Sequence, residues 1–126
     1  MLDTSVVIDL DSLDLGPYAT APTVLSTVTI AELSYGLDVD DPVERLARSR
    51  RLERALTVFE ILPFDVDAAC LYGTLVALVR RNGRNPRPRR LDLQIAATAA
   101  VNEVPLLTRN PADFADAVRL LEVVEI

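Results

Sequence analysis

The sequence contains no histidine, no lysine and no tryptophan, and it has a single cysteine. Without histidine, the chain cannot form a Ser-His-Asp triad, a Cys-His pair or a histidine-ligated metal site. One cysteine excludes an internal disulfide and cysteine-rich zinc sites, and the absence of lysine excludes a Walker-type phosphate loop and Schiff-base chemistry. Carboxylates, hydroxyls and arginines therefore remain as the main groups available for catalysis.

Long apolar runs are also missing. The longest nearly uncharged apolar stretch covers residues 68–79, which is short of the roughly 20 residues that a membrane-spanning helix needs. The first residues, MLDTSVVIDLD, lack the basic region of an export signal. Half of the 126 residues are apolar and a quarter are charged, which is typical of a folded domain. We therefore expect a single soluble domain over residues 1–126, located in the cytoplasm.

The net charge of −6 conceals an uneven distribution of charge along the chain. Residues 80–90, here named the basic segment, contain six arginines and no acid, whereas the other seven arginines are outnumbered by all 19 acids of the chain. An acidic surface repels phosphates, but arginines concentrated in one loop can bind them. The basic segment is therefore a candidate binding site for a polyanion; a solvated loop and a contact with a partner protein are the alternatives.

The hydrophobic pattern predicts strands and helices in alternation. Strands are predicted up to residue 3 and at residues 23–26, 59–62, 105–108 and 120–126. Helices are predicted at residues 4–10, from residue 27 or 29 to about 37, and at residues 43–56, 66–81, 91–102 and 111–117. This order predicts a layered α/β domain with a mostly parallel sheet. The helix at residues 66–81 is apolar almost all round, so we expect it to be buried on more than one face, with Cys70 buried among its neighbours.

Acidic residues lie near the ends of the predicted strands or at the start of the following helices. Asp3 ends the first strand, Glu32 lies one turn into a helix, Asp92 opens the helix after the basic segment, and Asp113 follows a later strand. Because the carboxyl ends of parallel strands meet at one edge of a sheet, these four acids are expected to converge. Converging carboxylates repel one another unless a cation compensates them, and oxygen ligands favour Mg²⁺ or Mn²⁺. Such an ion can activate water for attack on a phosphoryl group.

Each of these acids also has a purely structural interpretation. Asp3 and Asp92 could stabilise the N-terminal ends of the helices that follow them. Glu32 could be a solvated helix residue, and Asp113 could be a turn residue after an Asn-Pro pair. The spacing alone does not choose between these roles. A phosphatase or receiver domain of similar layout is disfavoured, because lysine is missing and no Asp-x-Asp pair ends the first strand.

Three sequence blocks together resemble the PIN-domain family, specifically the VapC-type toxins of bacterial toxin-antitoxin pairs. They are LDTSVVID at the start, TVTIAELSYGL in the middle and RRLDLQIAATAAVNEVPLLTRNPADF near the end. The resemblance implies a three-layer α/β/α fold with a small, mostly parallel central sheet. It also implies a Mg²⁺- or Mn²⁺-dependent endoribonuclease that leaves 5′-phosphate ends, is commonly a homodimer and is inhibited by a cognate antitoxin. Only Met1 and Leu2 precede Asp3, fewer than is usual in the family, so a short first strand is expected.

The resemblance assigns the catalytic role to the acids of these blocks, which are Asp3, Glu32, Asp92 and Asp113. Of these, Asp3 and Asp92 are the expected direct metal ligands. RNA contacts are expected from the basic segment and from the end of the PLLTRN stretch, at Arg84, Arg87, Arg89, Thr108 and Asn110. The alternative from another class is a PIN-like module that binds RNA or a partner protein without cleaving RNA.

Overall fold

The structure, a computed structural model, describes all 126 residues. Its helices are α1 (Thr4–Ile8), α2 (Thr27–Tyr35), α3 (Pro42–Val58), α4 (Val66–Arg81) and α5 (Arg90–Val101). Its strands are β1 (Val24–Ser26), β2 (Glu60–Leu62), β3 (Leu106–Thr108) and β4 (Val123–Glu125). Short 3₁₀ turns cover Leu10–Ser12, Gly16–Tyr18, Arg87–Arg89 and Pro111–Phe114. None of the helices combines the length and apolarity needed to cross a membrane.

The N-terminal residues join two pairs of parallel strands. Strand β1 pairs with β2, and β3 pairs with β4. Between these pairs, the Leu2 amide donates to the Val24 carbonyl at 3.0 Å and the Asp3 amide donates to the Leu107 carbonyl at 2.9 Å. The resulting order is β2, β1, residues 1–3, β3, β4. The predicted first strand is thus reduced to a single parallel bridge between Leu2 and Leu107.

Side chains from this sheet alternate between two hydrophobic cores. Met1 and Leu106 belong to one core, which α4 and α5 cover, whereas Leu2 and Leu107 belong to the other, which α1 and α3 help to cover. Because successive strand residues point to opposite faces of a sheet, the two cores lie on opposite faces. The three-layer α/β/α arrangement with a small parallel sheet is therefore confirmed.

Helix α4 differs from its prediction. Its buried residues are Ala68, Leu75 and Val79, and α5 packs against it. In contrast, Val66 is 78% exposed and Cys70 is also exposed. The predictions of burial on more than one face and of a buried Cys70 are therefore wrong. The apolar composition of a helix shows what it can bury, but not how many neighbours are available to cover it.

The basic segment begins where α4 ends. Gly83 has a φ of +75°, a left-handed conformation that glycine adopts without steric cost, and it turns the chain away from the helix. The Arg84 amide then donates to the Val79 carbonyl at 3.1 Å. Residues 82–90 belong to none of the predicted strands or helices, whereas the structure contains a 3₁₀ turn at Arg87–Arg89 and begins α5 at Arg90.

Candidate active site

The Asp3 carboxylate is the most constrained of the four predicted acids. Asp3 is only 5% exposed, and its Oδ2 accepts hydrogen bonds from the Ser5 hydroxyl at 2.7 Å and the Thr108 hydroxyl at 2.9 Å. Its Oδ1 has no protein donor and is not sealed from solvent. One oxygen is therefore fixed by the protein, while the other is open to a ligand.

Glu32 reaches the same region from α2. The Ser26 hydroxyl caps this helix by accepting from the Val28 amide at 3.1 Å, which stabilises the helix where it leaves β1. Thr29 and Glu32 are three residues apart and so share one helix face. The Thr4 hydroxyl lies 3.4 Å from the Thr29 hydroxyl and donates to Glu32 Oε2. These contacts tie the start of α1 to the Glu32 carboxylate.

The electrostatics of Asp92 show that the four acids are neighbours. Asp92 lies half-buried in the first turn of α5. Burial raises its pKa to about 6, and the charges of Asp3, Glu32 and Asp113 act in the same direction. Burial also raises the pKa of Glu32, and the charge of Asp3 adds to this effect, against a hydrogen bond from a threonine hydroxyl. The carboxylates therefore repel one another across a shared site.

Asp113 completes the site from the 3₁₀ turn Pro111–Phe114. Its carboxylate forms an ion pair with the Arg89 guanidinium, which is partly buried. The charge of Arg89 also opposes the rise in the pKa of Asp92. The structure thus brings together all four predicted acids and adds one arginine of the basic segment among them.

The carboxylates do not form a ready-made metal cage. No three acidic or cysteine side chains are placed so that they could hold a metal ion. Asp113 is bonded to Arg89, and Glu32 to a threonine hydroxyl. The donor chemistry nevertheless fits a hard divalent cation, since every donor is an oxygen and Asp3 Oδ1 is open. Burial and then repulsion from the other acids raise the pKa of Asp92, and a cation would relieve the repulsion. Asp3 and Asp92 would be its first ligands.

Two of the three predicted RNA-binding arginines are engaged within the protein. Arg89 forms an ion pair with Asp113, and Arg84 Nη1 lies 3.4 Å from Asp116 Oδ2. The Asp116 side chain is 5% exposed and also accepts from Asn82 Nδ2 at 2.5 Å. Only Arg87 has no acidic partner. The role of Asp116 was not predicted from the sequence. Acids after turns are common, and no local sequence pattern distinguishes a buried one from an exposed one.

Thr108 and Asn110 occupy different environments, although both were predicted to contact RNA. Thr108 is fully buried, and its hydroxyl donates to Asp3 while accepting from the Asn110 amide at 3.0 Å. The burial of Thr108 leaves no surface for RNA, and its observed contact is with a site carboxylate. Asn110 is exposed, so its side chain is accessible at the edge of the site.

Replacing Thr108 with valine is expected to lower the free energy of unfolding by roughly 1–2 kcal/mol, because the buried Asp3 carboxylate loses one of its two donors. Urea denaturation measures this change. Thr57→Val is the matched control, since the Thr57 hydroxyl is exposed and bonds only to carbonyls of its own helix. Equal stability of the two variants would contradict the conclusion that the Thr108 hydroxyl helps to hold the Asp3 carboxylate in place.

Comparison with known proteins agrees with this architecture. The PIN domain family model matches residues 1–120. Ribonuclease VapC5 of Mycobacterium tuberculosis is 35% identical over 133 residues, which cover 100% of this chain and 94% of that protein. Ribonuclease VapC of Rickettsia bellii is 28% identical over 118 residues, which cover 90% and 87% of the two chains.

A solved structure has the same fold along nearly its whole length. A crystal structure of VapBC-5 from Mycobacterium tuberculosis, a member of the VapBC family of toxin-antitoxin systems, matches with a TM-score of 0.75 and 30% identity. The match covers 99% of this chain and 96% of that one. Together with the family match over residues 1–120, these findings show that the chain belongs to the PIN domain family.

Proposed function

We propose that this protein is a divalent-cation-dependent endoribonuclease toxin that hydrolyses RNA phosphodiester bonds. The observation that supports this function most directly is the set of four neighbouring carboxylates in which burial, and then the charges of the other three acids, raises the pKa of Asp92 to about 6. The function of the relatives points in the same direction, since two of them are named ribonucleases. Residues 1–126 would act as one domain.

In the proposed reaction, the protein positions the reactants and compensates charge. A bound Mg²⁺ or Mn²⁺ would lower the pKa of water and neutralise charge on the phosphoryl group. Asp3 and Asp92 would hold the ion, with the Asp3 orientation fixed by the hydroxyls of Ser5 and Thr108. Glu32 and Asp113 would accept hydrogen bonds from water molecules around it. No histidine is required as a general base.

The proposed partners are RNA, a cognate antitoxin protein and a second copy of the chain. The antitoxin proposal is supported by the similar structure of VapBC-5, which belongs to a toxin-antitoxin family. The homodimer proposal rests on the family resemblance, and the exposed side of α4, which includes Cys70, is available for such a contact. Because its substrate would be cellular RNA, we place this activity in the cytoplasm.

The purified protein is expected to cleave total RNA only when Mg²⁺ or Mn²⁺ is present, and to leave 5′-phosphate and 3′-hydroxyl ends. Chelation should abolish cleavage because the carboxylates then have no ion to hold, and added Mg²⁺ should restore it. Sequencing of the cleavage ends identifies both the RNA and the chemistry. Cleavage that persists in excess chelator would contradict the cation-dependent mechanism. RNA binding without cleavage under all of these conditions would instead support a PIN-like binding module.

A further inference from the structure

Three arginines meet at a cavity outside the carboxylate site. The cavity has a volume of about 300 Å³ and is open to solvent. Its charged lining consists of Arg80 from the end of α4, Arg87 from the 3₁₀ turn and Arg90 from the start of α5. Tyr72 also lines the cavity and supplies an aromatic surface. That Arg80, Arg90 and Tyr72 line one cavity was not predicted from the sequence.

None of these three arginines has an acidic partner within 4.0 Å. Three positive charges around one cavity repel one another, and an anion would relieve this repulsion. Arg84 and Arg89 of the same segment differ from them, because each already forms an ion pair within the protein. The structure thus divides the basic segment into arginines that attach it to the fold and arginines that remain available to a ligand.

Two ion pairs anchor the part of the basic segment between Arg84 and Arg89. Arg84 is attached to Asp116, and Arg89 is attached to Asp113, so both arginines are anchored to the chain region after β3. Pro86, which lines the cavity, is buried. These contacts fix the backbone between the anchors, which reduces the ordering cost of binding a ligand.

The aromatic part of the wall is also fixed. The Tyr72 ring packs edge-on against Phe64, with the ring centroids 6.2 Å apart and the planes at 87°. This geometry is favourable for aromatic pairs. A positive groove that includes an aromatic ring is the combination that single-stranded nucleic acids use, since arginines bind the phosphates and bases stack on rings.

We propose that this cavity binds a phosphate of a single-stranded RNA substrate next to the cleavage site, with an adjacent base against Tyr72. The inference rests on the proposed function. Its position is suitable, because Arg89, whose guanidinium binds the Asp113 carboxylate, lies between the cavity residues Arg87 and Arg90 in the chain. The cavity and the carboxylate site therefore adjoin the same turn of the chain. Arg80, Arg87 and Arg90 replace the predicted set of Arg84, Arg87 and Arg89 as the RNA-contacting arginines.

The test uses the triple variant Arg80→Gln, Arg87→Gln and Arg90→Gln. Its affinity for a single-stranded RNA oligonucleotide is expected to fall about tenfold, and the slope of log affinity against log salt concentration to decrease by about 0.7, the value for one phosphate contact on a single strand. The KM for cleavage should rise more than kcat falls. The same three positions changed to lysine should restore the salt slope, because the charges return.

The matched control is Arg45→Gln, Arg50→Gln and Arg119→Gln, which removes the same charge from exposed arginines without ion pairs elsewhere on the surface. An unchanged salt slope in the cavity variant, or an equal loss in the control, would overturn the assignment. Loss of antitoxin binding with unchanged RNA binding would also overturn it, in favour of a protein contact. If the unaltered protein cleaves RNA in these cases, only the cavity proposal fails; if it neither binds nor cleaves RNA, the proposed function fails as well.

Discussion

Replacing Asp92 with asparagine is expected to lower the rate of RNA cleavage by about 10³-fold or more, equivalent to roughly 4 kcal/mol of transition-state stabilisation. In addition to burial, the charges of the other three carboxylates raise the pKa of Asp92. Asp92 is therefore close enough to all three to share a cation site with them. Asparagine keeps the shape of the side chain but removes the negative charge that would hold the ion. Removing this charge also relieves repulsion, so the variant should unfold at no lower temperature than the unaltered protein.

Initial rates of cleavage of a defined RNA and thermal unfolding of the same samples measure both effects. Asp40→Asn is the matched control, because Asp40 is exposed in the loop before α3 and the chemical change is the same. Cleavage by the Asp92 variant within tenfold of the control would refute its assignment as a metal ligand. Asp3→Asn should also abolish cleavage. A loss of activity in this variant is harder to interpret, however, because Asp3 accepts two hydrogen bonds and the substitution also disturbs these buried contacts.

The parts of the fold that were predictable come from local patterns with a strong physical basis. Ser26 and Asp65 accept hydrogen bonds at the starts of α2 and α4, as capping residues do. Four of the five predicted strands are present, each three residues long, and the first is reduced to a single bridge. The acids were predicted to meet because parallel strands end at a common edge, and the pKa of Asp92 shows that they do.

The parts that were not predictable depend on which distant groups meet. Six arginines in one segment indicate a positive surface, but their spacing does not show that Arg84 reaches Asp116 or that Arg89 reaches Asp113. These ion pairs join residues more than 20 positions apart, so they depend on the complete fold. Likewise, the composition of α4 gave no indication that Cys70 is exposed, because the number of elements that pack on a helix is a tertiary property.

Divalent cations are expected to bind strongly above pH 6 and weakly below it. Burial and neighbouring charges raise the pKa of Asp92 from 3.8 to about 6, so protons compete with the cation for this carboxylate over an unusually high pH range. With one proton displaced from a group of pKa about 6, cation affinity at pH 4.5 should be about 30-fold lower than at neutral pH. The pKa of Glu32 is also raised, which acts in the same direction.

Without cations, the pH dependence has the opposite sign. An acid whose pKa is raised by folding binds more protons in the folded state than in the unfolded state at pH values between about 4 and 6. The contribution of Asp92 to the free energy of unfolding therefore falls as pH rises through that range and is constant above it. Cation binding offsets this loss, because it compensates the charges that repel one another in the folded site.

Thermal unfolding with and without Mg²⁺, measured from pH 4.5 to 7.5, separates the two effects. The increase in Tm caused by Mg²⁺ should be small at pH 4.5 and should grow through pH 6. At a fixed Mg²⁺ concentration, the stabilisation of the folded state increases with the logarithm of the cation affinity. In Asp92→Asn this increase should be largely lost at every pH, whereas Asp40→Asn should retain it. An equal Mg²⁺ effect at pH 4.5 and 7.5 would mean that the ion binds away from Asp92, since binding at this carboxylate displaces a proton in this range.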